Sequence, residues 1–483
     1  MITRRQLMSG LVPGNIVIGF DKQDRKWVTS AETTGFLFDS TPPLDGVLTM
    51  DDAIRNSDSR DQGNIVINPP SAVLRPGSVA DVQKMVAFCR ALDIKVSARG
   101  AAHTTFGQGL ANGGLVIEMQ WLNKIYSIEP SGADVAAGAL WRDLAAQAAS
   151  QGLRAASGFT AYLGLTLGGT LSVGGVSPNY REGGQVDRVQ QVEVVTGKGE
   201  VFLCSLTTHS DLFNAALGGL GQCGIITRAR IDMLPAPSRV RTYVLSYTDN
   251  VRMFRDLRLL RDRGEADGLF CEWQPTESGV QQQLYVDVYY EPAFAPEDTF
   301  LLRGTSARPV VTDLTYLEYV QYFDSVIESY RLAGYDSYVK PWFDVWLPDS
   351  SVEAYVGEIV STLKQDDWSR TSSALLYVHR RAAMTRPCFR VPDRTDWVYL
   401  FDILNDSGTP GPNPAFLERM LTRNDTFWTK AKLLGGTRYP IGALRFTNED
   451  WVEHYGPTWS AFRDWKRRFD PEQILTPGPG IFS

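Results

Sequence analysis

The chain has 483 residues, 43% of them apolar, and its 48 basic and 55 acidic side chains leave a net charge of −7. At roughly 150 residues per folding unit, that length suits two or more domains and a sizeable core. The acidic balance and the lack of any Lys/Arg block argue against a nucleic-acid partner, and no apolar run reaches the ~20 residues that cross a bilayer.

The N-terminus opens Thr3-Arg4-Arg5-Gln6-Leu7-Met8, which has the form of a twin-arginine export signal. The stretch behind it, Leu11 to Phe20, is short and broken by Pro13, Gly14 and Asn15. It reads as a degenerate remnant on a cytoplasmic protein, with export as the alternative. Ala72-Val73-Leu74-Arg75 is strand-like and stops at Pro76. Ser78 then caps a helix, with Asp81 at the capping-box position and Val82, Met85, Val86 and Cys89 on one face. Ile94 to Ala98 reads as a strand by alternation and β-branching.

That strand runs into Arg99-Gly100-Ala101-Ala102-His103-Thr104-Thr105-Phe106-Gly107-Gln108. Small residues there let backbone N–H groups close around a phosphate. The His103 imidazole stands at the lip, either as a cofactor contact or as a half-buried side chain of a turn. Gly114 to Glu118 gives another strand, and Leu140, Trp141, Leu144 and Ala148 another helix face. A second small-residue run holds Thr166, Gly168, Gly169, Ser172 and Gly175. Val192 to Leu203 reads as a hairpin turning at Gly197-Lys198-Gly199, not as a Walker loop. Gly219-Leu220-Gly221-Gln222-Cys223-Gly224 matches Gly-x-Gly-x-x-Gly in letters. A helix-like segment precedes it and the strand from Ile225 follows it, the reverse of a dinucleotide-binding turn.

Pro235-Ala236-Pro237-Ser238 marks a boundary. Beyond it come alternating strands such as Gln283 to Tyr290 and a helical pattern from Leu317 to Tyr330. The whole is an α+β chain, not a doubly wound sheet. Cys89, Cys204, Cys223, Cys271 and Cys388 are far apart, odd in number and without a Cys-x-x-Cys pair, a pattern against a disulfide framework or structural zinc. No metal is expected.

These runs, in this order, together with Phe469-Asp470-Pro471-Glu472-Gln473-Ile474-Leu475-Thr476-Pro477-Gly478, resemble the FAD-linked oxidases of the vanillyl-alcohol oxidase superfamily, in the cytokinin dehydrogenase branch. The likeness is dense from about Ala72 to Val240 and from Trp451 to the end. Between them, Lys340-Pro341-Trp342-Phe343-Asp344-Val345-Trp346-Leu347-Pro348 stands out. The resemblance implies a two-domain α+β fold: an FAD-binding domain over 1–240, a substrate domain of antiparallel sheet and flanking helices over 241–444, and a return to the FAD domain over 445–483.

The resemblance further implies that FAD is held by Arg99, Gly100, Ala101, Ala102, His103, Thr104, Gly107 and Gln108. Thr166, Gly168, Gly169, Ser172, Gly175, Gly221, Gly224, Ile225 and Ile226 complete the cofactor set. His103 matches the histidine that bonds covalently to the flavin. Some relatives add a second link through a cysteine, but Phe159 to Leu165 holds none, so a single link is expected. The branch carries a catalytic aspartate just before the Tyr-Leu pair, where this chain has Ala161.

Tyr162, next to Ala161, is the first candidate for a replacement base. Glu272 is the second, at the position of an acidic residue near the substrate entrance. His379 reads as lying on a strand surface, and His454 as fixing the chain end near the cofactor. The expected activity is oxidation of a small organic substrate by hydride transfer to FAD, with O2 or another electron acceptor. The missing aspartate motivates a second reading, an oxidative decarboxylase or alcohol oxidase tailoring a secondary metabolite from a hydroxy acid. Amine oxidation of the cytokinin type despite Ala161, and a flavin binder without turnover, are the remaining alternatives.

Overall fold

Four short apolar strands form the first large-domain sheet in this computed structural model, which describes residues 13–32, 37–277 and 279–482. The Arg4-Arg5 pair lies outside them. Strand β1 (Val47–Thr49) pairs antiparallel with β2 (Ala72–Arg75). Helix α1 (Val79–Ala91) then carries the chain back to β3 (Val96–Arg99), and β4 (Leu115–Glu118) inserts between β2 and β3, parallel to both. Parallel pairing needs such a crossover, and α1 buries the face expected of it: Val82, Met85, Val86 and Cys89.

Ser78 caps α1 by accepting from the Asp81 N–H. Asp81 does not complete the reciprocal capping box. Its carboxylate instead accepts from the backbone N–H groups of Asp45, Gly46 and Gly77, at 2.9, 2.7 and 2.8 Å. The Gly46 and Gly77 backbones approach each other so tightly that a Cβ on either would clash, which brings both N–H groups to one carboxylate.

A second, all-antiparallel sheet follows. Its strands are β5 (Ile125–Glu129), β6 (Gly132–Ala136), β7 (Val189–Thr196), β8 (Val201–Cys204) and β9 (Gly224–Ile231), in the order β8-β7-β9-β6-β5. The β7–β8 pair is the hairpin read from sequence. Helices α2 (Trp141–Ala149) and α3 (Leu167–Val173) lie between β6 and β7 in the chain. The Gly219–Gly224 run links helix Ser210–Ala216 to β9, helix before strand.

The third sheet has eight antiparallel strands. In chain order they are β10 (Arg239–Tyr247), β11 (Gly268–Thr276), β12 (Gly279–Tyr290), β13 (Pro309–Thr315), β14 (Phe343–Pro348), β15 (Ser373–Arg380), β16 (Trp397–Leu404) and β17 (Thr437–Arg438). Across the sheet they run β13-β10-β12-β11-β15-β16-β14-β17. Strand side chains alternate between faces. Cys271, Trp273, Leu376, Phe401 and Ile403 pack one face against helices Asn250–Arg263 and Asp349–Thr362. Phe270, Tyr377, Leu400 and Trp346 turn the other way and join the core of the first domain. The long helix α4 (Tyr316–Leu332) crosses near α2.

The C-terminal segment returns to the first sheet, where the Val96 N–H donates to Ile474 O and the Thr476 N–H to Val96 O, both at 2.8 Å. Lys466, fully enclosed, anchors this return by donating to the Asp470 carboxylate and to Gln222 O. All five cysteines are buried free thiols. His379 is on a strand, β15, but not at a surface: it is buried, and its ring meets Trp346 at 5.9 Å. The apolar core on that sheet face closes over it. His454 is buried as well, edge-on to Trp451 and Tyr455 near the chain end.

Asp81→Ala should destabilise the first domain by about 2 kcal/mol or more, because three backbone donors lose a charged acceptor. A shift in the midpoint of chemical unfolding measures it. An unchanged midpoint would show that water replaces the carboxylate at little cost.

Candidate active site

The loop that leaves β3 keeps its donors for something other than protein. Ala102 adopts a left-handed conformation, φ +51°, which a non-glycine residue holds only when its surroundings enforce it. Among the described residues, the N–H groups of Ala101, Ala102, His103 and Thr104 donate to no protein acceptor. Successive N–H groups of mixed handedness form an anion-binding concavity.

The loop is held from behind. Gln62 N–H donates to Ala102 O at 2.8 Å, and Arg99 pairs with the buried Asp58 at 3.0 Å. The Asp61 carboxylate accepts from Thr104 Oγ1 and from the N–H groups of Gly63 and Gly107. Burial pushes Asp61 up to about 6 against those hydrogen bonds. Gly107 (φ +79°) is thus a strut behind the loop and does not line the cavity in front of it. Gln108 borders the cavity, but its amide is spent on the carbonyls of Pro440, Ile441 and Gly442 and on the Phe106 N–H.

In front lies one continuous cavity of about 570 Å³. Its walls include every sequence-predicted cofactor position except Gly107, together with Tyr162 and Glu272. The wall at α3 offers shape rather than charge. The N–H groups of Leu167, Gly168 and Gly169 are taken by Ala139 O, Ala137 O and Thr166 Oγ1. Gly100 packs where a Cβ would run into Thr166 Oγ1. Gly221 (φ +69°) turns beneath Thr476, whose Oγ1 donates to Gly221 O.

His103 lines this cavity. Its ring lies 5.1 Å from that of Tyr162 and 5.2 Å from that of Trp342. Burial, with the charges of Lys340 and Arg331 nearby, pushes it down to about 4, so the imidazole is neutral near pH 7.

Beyond His103 the wall is the inner face of the large sheet. Glu272 is buried there and accepts from Gln274 Nε2 and Tyr285 Oη, each at 2.9 Å. Burial raises its pKa. The Tyr162 hydroxyl accepts from Arg331 at 2.8 Å, yet burial outweighs that cation and its phenol is also raised. The environment therefore favours a protonated phenol near neutral pH. Ala161 lines the cavity with no carboxylate.

Sequence reasoning missed Trp342, Tyr377, Asp402 and Tyr439, which share this wall. One signal for Asp402 was available: an acid inside the apolar run Trp397-Val398-Tyr399-Leu400-Phe401-Asp402-Ile403-Leu404.

A family model described as an FAD binding domain matches residues 70–205, and one described as cytokinin dehydrogenase 1, FAD and cytokinin binding, matches residues 302–482. An oxidoreductase of the fasciation locus of Rhodococcoides fascians is 31% identical over 90% of this chain and 99% of its own length. Cytokinin dehydrogenase 4 of Oryza sativa subsp. japonica is 32% identical over 91% of this chain and 90% of its own. The chain belongs to the cytokinin dehydrogenase-like branch of the vanillyl-alcohol oxidase superfamily. Cytokinin dehydrogenase 2 of Arabidopsis thaliana matches at 29% over 93% of this chain. This cytokinin dehydrogenase-like protein is an FAD-binding oxidoreductase, and its residues fit that cofactor. The free N–H groups of Ala101 to Thr104 suit a pyrophosphate, and the apolar wall of Ile225 and Ile226 suits a flat ring system.

Gly100→Ala should lower FAD content per folded chain, because the added methyl pushes the loop off Thr166. Gly169→Val, which places a side chain where the cavity now opens, should do the same. Flavin absorbance per chain, compared with the thermal midpoint, reads the effect. Full occupancy in both variants would mean that the cofactor does not lie along this wall.

Proposed function

We propose that FAD is bonded covalently to His103 in this oxidoreductase, and that the substrate is a flat, largely apolar molecule oxidised at a C–H next to nitrogen or oxygen. The observation that carries this reading is the place of a neutral His103, between the donor-rich loop and an aromatic chamber. Bound FAD supplies the two-electron acceptor. The loop N–H groups hold its anionic end, and the neutral imidazole offers a nitrogen lone pair.

In the chamber, Phe270 stacks on Tyr285 at 4.3 Å and faces Tyr377 at 5.8 Å, which gives planar substrates an apolar wall. Tyr322 and Arg370 are exposed at its mouth. On the sheet-face wall, the cavity-lining ionisable groups other than the tyrosines are acids, Glu272 and Asp402. That favours a substrate with an N–H or O–H to donate over the hydroxy acid of the second reading, because among the described residues this wall offers a carboxylate no cation. Dioxygen is the proposed acceptor, and reoxidation in air against reoxidation by a quinone separates the two.

Three outcomes are expected. His103→Ala should release its flavin on denaturation, whereas wild type keeps it; flavin that stays on the mutant chain would sink the covalent assignment. Incorporation of added FAD into apoprotein should hold its rate from about pH 8 to 5. A histidine at the ordinary ~6.5 would go from neutral to protonated as pH falls across that range, but His103, at about 4, stays neutral.

Wild type should oxidise isopentenyladenine poorly, because Ala161 offers no acceptor for its amine. Ala161→Asp should then speed anaerobic flavin reduction by that compound by ~10²-fold or more, the lower end of general-base effects. Equal rates in the two proteins would show that the amine proton does not leave at position 161.

A further inference from the structure

A row of side chains crosses the inner face of the large sheet. Glu272 on β11 sits opposite Leu375 on β15, Leu375 opposite Asp402 on β16, and Asp402 opposite Asp344 on β14. Strands lie about 4.8 Å apart, so Asp402 and Asp344 are nearest neighbours and Glu272 is about 10 Å away. Asp402 lines the cavity, and Asp344 stands behind it, fully buried.

Among the described residues, no protein donor reaches either side-chain oxygen of Asp344 or Oδ1 of Asp402. The partner left to each carboxyl is the other, and a hydrogen bond between them requires one proton on the pair. Two ionised carboxylates at this separation in a dry site are strongly disfavoured.

The remaining neighbours balance that arrangement. Arg438 on β17 is buried, stacked 4.4 Å over Phe446 and 4.9 Å over Trp451. It stays cationic although burial lowers it to about 10. One proton on the acid pair leaves a single negative charge to match it. Tyr377 and Tyr439 also face Asp402, and burial holds both phenols protonated.

We propose that Asp402, sharing a proton with Asp344, is the group that takes the substrate's proton. The inference rests on the oxidoreductase reading above. In the step, the N–H or O–H bond of the substrate breaks and its proton goes to the Asp402 carboxylate. The electron pair left behind forms the new C=N or C=O bond as the adjacent C–H hydrogen leaves, with its own pair, for the FAD. Asp402 changes from carboxylate to acid, so charge and electrons balance. Burial lifts Asp402 to about 7, and the hydrogen bond from Asp344 opposes that rise. A base poised near neutral pH is well matched to this task. Asp344, held protonated by burial and by Asp402, is the positioning residue that donates to it.

The test uses the flavin-loaded full chain. In infrared difference spectra, wild type should lose the carbonyl band of a protonated carboxyl as pH rises through about 7. Asp58 is also raised to about 7, so Asp402→Asn should lose one of the carboxyls that titrate in that range, while keeping its flavin absorbance. Anaerobic flavin reduction is then followed with isopentenyladenine, benzylamine and benzyl alcohol. With whichever probe reduces wild type fastest, the rate should rise with pH through the same range, because the base acts deprotonated. Asp402→Asn should slow it by ~10²–10⁴-fold. Asp344→Ala should move the rise to higher pH by removing the donor, and Asp344→Asn, whose amide still donates, should bring it back.

Absence of a titrating carboxyl that depends on Asp402, or reduction of Asp402→Asn at the wild-type rate, overturns the proposal. If no probe bleaches the wild-type flavin, the functional reading fails, and the infrared titration alone decides the fate of the acid pair.

Discussion

A seam of backbone-directed hydrogen bonds holds the two walls of the cavity in register, and the rest of the site depends on it. On one side stand residues 61–63 and 104–108, and on the other residues 338–342 and 440–442. Thr105 donates through both its N–H and its hydroxyl to Ile441 O, and Gln108 reaches the carbonyls on either side of it. Lys340, itself buried, donates through Nζ to Gln62 O and through its backbone to Gly63 O. A bare ammonium in that place would be costly, so it is tied to carbonyls and rests 4.5 Å over the Tyr335 ring. Backbone acceptors cannot rotate away, and this is how a loop of small residues keeps Ala102 in a left-handed conformation with its neighbours' N–H groups aimed outward.

Desolvation then sets the chemistry of everything the seam encloses. The same burial drives His103 down toward its neutral form and drives Asp402 up toward its protonated one. The two shifts are opposite in direction because burial penalises whichever form is charged. The cavity thus holds a neutral imidazole on one wall and, on its far wall, an acid, Asp402, able to exchange a proton near neutral pH. Tyr162 shows the limit of a partner cation: Arg331 bonds its oxygen, but loss of water counts for more.

The sheet makes the far wall possible. Its outer face is closed by helices, so alternation sends every second side chain of β11, β15 and β16 toward the cofactor domain. A one-residue slip of β16 would turn Asp402 into the helix-packed core and Phe401 into the cavity. Antiparallel pairing over most of each strand prevents that slip, since it would reverse Tyr399, Phe401 and Ile403 as well.

Local chemistry decided much of this protein. The apolar face of Val82, Met85, Val86 and Cys89, the Val192–Leu203 hairpin and the helix-then-strand order around Gly219–Gly224 were all readable, because each rests on neighbours within a few turns of chain. The small-residue run after the strand was visible too, although from the sequence it suited a cofactor loop and a plain turn alike. What no local pattern contains is which distant groups meet. Asp344 and Asp402 are 58 positions apart in the chain and become partners only when β14 and β16 pair. Asp81 looked like half of a capping box until Gly46 and Gly77 folded against it, and the direction in which the Tyr162 phenol is shifted emerges only once its surroundings are assembled. Side-chain identity sets what a residue can do. Burial and the partner across the strand or seam, which only the tertiary structure supplies, set its charge state and therefore which of those things it does.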